Sequence, residues 1–162
     1  MGEIGKAVAR IAAALGMKVI AYTPHPMPMD YVTYVPLKEL WRRADVISLH
    51  CPLFETTRRI VDNAAIETMK NGVILINTAR GPLIDEEALY SGLEDGKIAW
   101  AALDVMEKEP PETGNRLLRH PRVIATPHIG WAPFEARKRL MNIAIENLKA
   151  FQRGEPIHVV NR

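Results

Sequence analysis

Five short, almost uninterrupted apolar runs recur along the chain, at residues 17–22, 46–50, 72–77, 98–103 and 123–126. A run of Val, Ile, Leu and Ala without polar alternation reads as a strand covered on both faces, and such strands belong to parallel sheets. Helical patterns at 4–15, 37–44, 63–70, 85–94, near 115–119 and at 133–151 supply the crossovers that parallel strands require. The alternation predicts an α/β fold, a Rossmann-type doubly wound parallel sheet. In the usual strand order 3-2-1-4-5-6, the five runs take the second to sixth places. The sheet is therefore expected to lack its first strand, which would lie between the strands at 17–22 and 72–77.

Local signals fix several ends. Ile4, Val8, Ile11 and Leu15 share one helical face, and Gly16 suits the following C-cap. Three prolines between Thr23 and Met29 mark a loop, and Asp85 places an acidic residue at a helix start. Gly154 and Pro156 close the last helix. At the other end, Met1-Gly2-Glu3-Ile4-Gly5 reads as the last two glycines of a G-x-G-x-x-G loop. In that fingerprint, a strand leads into a glycine turn, and the next helix offers free N–H groups to a pyrophosphate.

Composition excludes several classes. With 162 residues, 48% hydrophobic and 25% charged, the chain has material for one core and one domain. The formal charge of +2 comes from scattered groups such as Arg42-Arg43, Arg58-Arg59 and Arg137-Lys138-Arg139. No basic stripe interleaves with aromatics, so no nucleic-acid partner is expected. No apolar run approaches the ~20 residues that span a bilayer, and no signal-peptide pattern opens the chain, so no membrane partner is expected. Cys51 is the single cysteine and reads as a packing residue. The absence of an internal disulfide suits a reducing compartment, and a cytoplasmic protein is expected.

In open α/β sheets, ligands bind beyond the carboxyl ends of the strands. The strand ending at Ile76 delivers Asn77-Thr78-Ala79-Arg80-Gly81. The strand ending at Leu103 delivers Asp104, then Glu109-Pro110, and the strand ending at Ala125 delivers Thr126-Pro127-His128-Ile129-Gly130. An arginine, a carboxylate and a histidine are thus expected at one sheet edge. Arg80 can grip a carboxylate with two parallel hydrogen bonds and polarise the adjacent carbonyl. His128 can exchange the proton that accompanies hydride transfer, because an ordinary imidazole titrates near ~6.5. Glu109, if hydrogen-bonded to that imidazole, would orient it and favour its protonated form. The trio suits redox chemistry at an alcohol or keto carbon beside a carboxylate, and no metal site is expected.

These residues resemble the D-isomer-specific 2-hydroxyacid dehydrogenases. Gly2-Glu3-Ile4-Gly5-Lys6-Ala7-Val8-Ala9 is similar to the family's fingerprint tail, and His50-Cys51-Pro52-Leu53 with Thr56-Thr57 to its loop after the third strand. Ile76-Asn77-Thr78-Ala79-Arg80-Gly81 resembles the segment of the substrate-binding arginine. Ala102-Leu103-Asp104-Val105 through Glu109-Pro110 resembles that of the catalytic glutamate, and Thr126-Pro127-His128-Ile129-Gly130 that of the acid/base histidine. The resemblance runs from Met1 to nearly Arg162. It implies an NAD(P)-dependent oxidoreductase that passes hydride between NAD(P)H and a small 2-keto acid such as glyoxylate or hydroxypyruvate. Arg80, Glu109 and His128 would be catalytic. Gly2, Glu3, Ile4, Gly5, Thr23, Pro52, Thr57, Thr78, Ala79, Arg80, Asp104, His128 and Gly130 would meet the cofactor, with Asp104 bonding the nicotinamide carboxamide.

Thr23 departs from the pattern. NAD-specific members usually carry an acidic residue there for the ribose diol, and NADP-specific ones an arginine nearby, so both NAD and NADP stay open. The second departure is length. The family normally carries about as many residues again before this point, comprising a substrate domain and the first strand. Residues 1–162 then read as a partial dinucleotide-binding domain, whose tail at about 154–162 would pack on the substrate domain. These residues alone are expected to show little or no turnover. A homodimer is expected from the resemblance. The alternative is a non-catalytic NAD-sensing or protein-interaction module.

Overall fold

The structure, a computed structural model, describes residues 1–160. It divides into two compact units, Met1–Pro127 and the segment from His128 onward. The first contains α1 (Glu3–Ala14), β1 (Ile20–Ala21), β2 (Thr33–Tyr34), α2 (Leu37–Arg43), β3 (Val46–Leu49), α3 (Asn63–Thr68), β4 (Val73–Asn77), α4 (Glu86–Glu94), β5 (Ile98–Leu103) and β6 (Val123–Ala125). The second contains α5 (Phe134–Gln152). Of the tail at 154–162, Asn161 and Arg162 lie outside the described residues.

Strands β3, β4, β5 and β6 form a four-stranded sheet in that order, and each neighbouring pair is parallel. Its register aligns Leu49 with Asn77 and Asn77 with Leu103, so three strand ends come level on one edge. Val73, Leu75 and Asn77 of β4 are no more than 1% exposed, and Ile98 of β5 is fully buried. Ile66 of α3 and Leu89 and Leu93 of α4 belong to the same core cluster. Burying each such Leu or Ile contributes roughly 1.5–3 kcal/mol, which makes this core the anchor of the strand-end turns.

The Rossmann-type α/β reading holds, with corrections to its numbering. A strand at Thr33–Tyr34 was not foreseen, and it pairs in parallel with Ile20–Ala21 in a separate two-stranded sheet. Two residues between a loop and Pro36 carry no periodicity for a sequence reading to detect. The strand at 46–50 was expected to be third in the order. It is fourth, since β3 pairs directly with β4. In the order 3-2-1-4-5-6, continued by β6 as a seventh strand, the place of the first strand is therefore between β1 and β3, and not beside β4.

The run at 17–22 is strand only at Ile20–Ala21 because the helix end reaches into it. Gly16, in the left-handed region at φ +83°, turns the chain. Its N–H then bonds Ala13 O at 2.9 Å, and the Met17 N–H bonds Ala12 O at 3.1 Å. That pair of bonds is a Schellman closure.

Candidate functional site at the strand ends

The turn after β4 is built around Asn77, which is 1% exposed. An unpaired buried amide would cost ~1–3 kcal/mol, and this one is satisfied within its own turn. Asn77 Oδ1 accepts from the Ala79 N–H at 3.0 Å, and Nδ2 donates to Arg80 O at 2.9 Å. Asn77 O accepts from the Asp104 N–H at 2.9 Å, tying this turn to the end of β5. Gly81 brings the two even closer, since a Cβ there would lie 1.8 Å from Met106 O. Only glycine permits that approach. The Arg80 side chain is exposed, with Nη1 donating to Ala79 O at 2.6 Å.

After β5, Asp104 is 7% exposed, and its Oδ1 accepts from the Thr126 hydroxyl at the end of β6. The following turn folds back on itself, with the Met106 N–H donating to Glu109 Oε1 at 3.1 Å. The Glu107 N–H donates to Glu86 Oε1 in α4 at 2.7 Å. Asp85 caps α4, accepting from Glu87 N and Ala88 N at 3.1 and 3.2 Å.

Around α1, Gly2 is the N-cap residue and makes no side-chain cap bond. A Cβ at Gly2 would meet nothing within 4 Å, whereas one at Gly5 would lie 3.0 Å from Met1 Cγ and 3.6 Å from His50 Cβ. The first-turn N–H groups of α1 therefore lie behind a residue with no side chain, an arrangement that suits an approaching anion. Ile4 is exposed, as is Glu3, whose hydrogen bond and ion pair with Lys6 at 2.8 Å hold its carboxyl below the ordinary carboxylate range. Thr23 is half-buried, with Oγ1 at 3.3 Å from the Met1 nitrogen.

In the loop after β3, Thr57 Oγ1 donates to Pro52 O at 2.8 Å and accepts from the Phe54 N–H at 2.7 Å, so this hydroxyl shapes the loop that presents Pro52. His50 Nε2 lies 2.9 Å from Ser48 Oγ, and burial pushes the imidazole below its ordinary range. Burial pushes the half-buried Cys51 thiol up, away from nucleophilic use.

His128 and Gly130 belong to the second unit. His128 is half-buried in the left-handed region at φ +53°, and its carbonyl accepts from Trp131 Nε1 at 2.7 Å. The structure thus brings the turns bearing Arg80, Asp104 and Glu109 together within the first unit, with Thr78 exposed and Ala79 half-buried between them. The sequence reading quoted Asn77 and His50 within motifs and gave neither a role. A lone Asn closing an apolar run was the available signal for Asn77.

Comparison with known proteins bears on these turns. Residues 1–130 match the family model described as D-isomer specific 2-hydroxyacid dehydrogenase, NAD binding domain. A hydroxypyruvate reductase of Blautia hydrogenotrophica is 51% identical over 164 residues, which cover 99% of this chain and 51% of that protein. One of Thermotoga maritima is 51% identical over 142 residues, covering 86% of this chain and 46% of its own length. The crystal structure of a D-lactate dehydrogenase with NAD+ from Lactobacillus jensenii superposes with a TM-score of 0.94 at 36% identity, covering 100% of this chain and 54% of that one. The chain spans about half the length of the relatives it matches.

Proposed function

The chain belongs to the D-isomer-specific 2-hydroxyacid dehydrogenase family, and from that premise we propose that it supplies the cofactor-binding part and the catalytic trio of an oxidoreductase acting on small 2-keto or 2-hydroxy acids such as glyoxylate or hydroxypyruvate. The observation that carries this reading is the fastening of the Arg80 turn to the Glu109 turn at the carboxyl ends of β4 and β5. That fastening holds a cationic fork and a carboxylate on one rigid edge.

A nicotinamide dinucleotide, NAD(H) or NADP(H), would supply the hydride in its reduced form and accept it in its oxidised form. The residues present fit it. The N-terminus of α1 at Gly2, Glu3, Ile4 and Gly5, which opens on a residue with no side chain, suits the pyrophosphate, and Thr23 places no carboxylate against either ribose form. Pro52, with its loop held by Thr57, and Thr78, Ala79, Asp104 and Gly130 would complete the cradle. Arg80 binds the substrate carboxylate through two parallel hydrogen bonds and draws charge toward the carbonyl oxygen. His128 delivers a proton from an imidazole nitrogen to that oxygen, or removes it in the reverse direction. Glu109 is the carboxylate assigned to orient that imidazole.

In this reading, residues 1–162 are a partial dinucleotide-binding domain, and the tail from about residue 154 would pack on a substrate domain. Exposed apolar side chains on α5, among them Leu140, Met141 and Leu148, support a homodimer, and the single cysteine supports a cytoplasmic location. Among the described residues, no helix is long and apolar enough to cross a membrane.

The protein as its gene encodes it, given NADH or NADPH and glyoxylate or hydroxypyruvate, is expected to turn over at about 1–1000 per second. His128→Asn is expected to lose roughly 100-fold or more of that rate. Dinucleotide binding without oxidation by any 2-keto acid would overturn the oxidoreductase reading and favour a sensing module.

A further inference from the structure

Outside the proposed trio, Arg59 makes more connections between the strand-end turns than any single role in the reaction requires. Its backbone lies in the left-handed region at φ +49°, a conformation that Gly or Asn adopts readily and Arg does not. The Arg59 N–H donates to Pro82 O at 2.8 Å, inside the turn that follows Arg80. Its guanidinium reaches two carboxylates, with Nη1 at 3.2 Å from Asp85 Oδ2 and Nη2 at 3.1 Å from Glu107 Oε1. Asp85 closes the Arg80 turn as the cap of α4, and Glu107 lies between Met106, whose N–H binds Glu109, and Glu109 itself.

We propose that Arg59 is a positioning residue, a planar clamp that fixes the distance between the Arg80 turn and the Glu109 turn and so sets the geometry in which guanidinium and carboxylate meet the substrate. This rests on the roles given above to Arg80 and Glu109. Exposed ion pairs add little to stability, so the left-handed arginine is better explained by geometry than by folding energy. The side chain is 52% exposed and its partners are 24% and 37% exposed, which places the clamp at the rim of the turns and away from the core. A fork spans both carboxylates at once, and a lysine ammonium cannot do so with the same planarity.

Arg59→Gly separates the two explanations, because glycine relieves the backbone and removes the clamp together. The variant is expected to melt no lower than the parent, to bind NADH within twofold of it, and to lose tenfold or more in kcat/KM for the 2-keto acid. Added guanidinium is expected to restore part of the loss, and Arg59→Lys to fall between variant and parent. Amide hydrogen exchange across residues 105–109 is expected to speed up at least tenfold in Arg59→Gly. Unchanged kcat/KM, or unchanged exchange across that segment, would overturn the clamp. If the parent reduces no 2-keto acid, the functional reading fails, and the exchange comparison still decides the clamp.

Discussion

Helices α1 and α4 are held in opposite ways. In α4, Leu89 and Leu93 are fully buried, and the Asp85 carboxylate caps two first-turn amides. In α1, Ile4 and Ile11 are 69% and 58% exposed, Leu15 at its C-cap is 77% exposed, and no side chain caps the start. The turns proposed as catalytic are thus braced by a packed core and a filled cap. The start of α1, proposed as the cofactor loop, instead leaves its first-turn amides without a side-chain cap. One end of the proposed site is rigid before anything binds, and the other keeps its polar groups available for an anion.

The contrast can be broken by substitution. Leu89→Ala is expected to cost about 2–5 kcal/mol in denaturant unfolding, from lost transfer energy and the cavity left behind. Ile11→Ala, at an exposed position, is expected to stay within about 0.5 kcal/mol. Equal losses would show that both helices are anchored alike. A smaller effect separates stability from binding at the start of α1. Gly2→Asp adds a cap that raises stability by only a few tenths of a kcal/mol. It also sets a carboxylate where the pyrophosphate is expected, so NADH affinity in a fluorescence titration should fall about tenfold, worth ~1.4 kcal/mol. Undiminished affinity would remove α1 from the cofactor site.

Much of this arrangement was legible in the residues. The strands Val73–Asn77 and Ile98–Leu103 announce themselves, because fully buried strands need unbroken apolar runs. Arg80, Asp104 and Glu109 follow directly from where those runs stop. Thr33–Tyr34 escaped notice because a two-residue strand has no period. The face of α1 was readable as amphipathic, but periodicity does not say what covers a stripe, and Ile4, Ile11 and Leu15 remain exposed. Arg59 was hidden for a different reason. Its carboxylate partners lie far along the sequence, with Glu107 48 residues away, and the contact exists only once Gly81 has brought two turns together.

The most direct test of the strand-end site is Arg80→Lys, assayed by NADH oxidation with glyoxylate or hydroxypyruvate alongside NADH affinity. Lysine keeps the charge and loses the fork. Removing one charge-assisted hydrogen bond, worth about 1.5–3 kcal/mol, should lower kcat/KM roughly 10- to 100-fold and cofactor affinity by much less. A kcat/KM within twofold of the parent would contradict the assignment of Arg80 as the substrate-carboxylate clamp, and with it the site at the ends of β4 and β5.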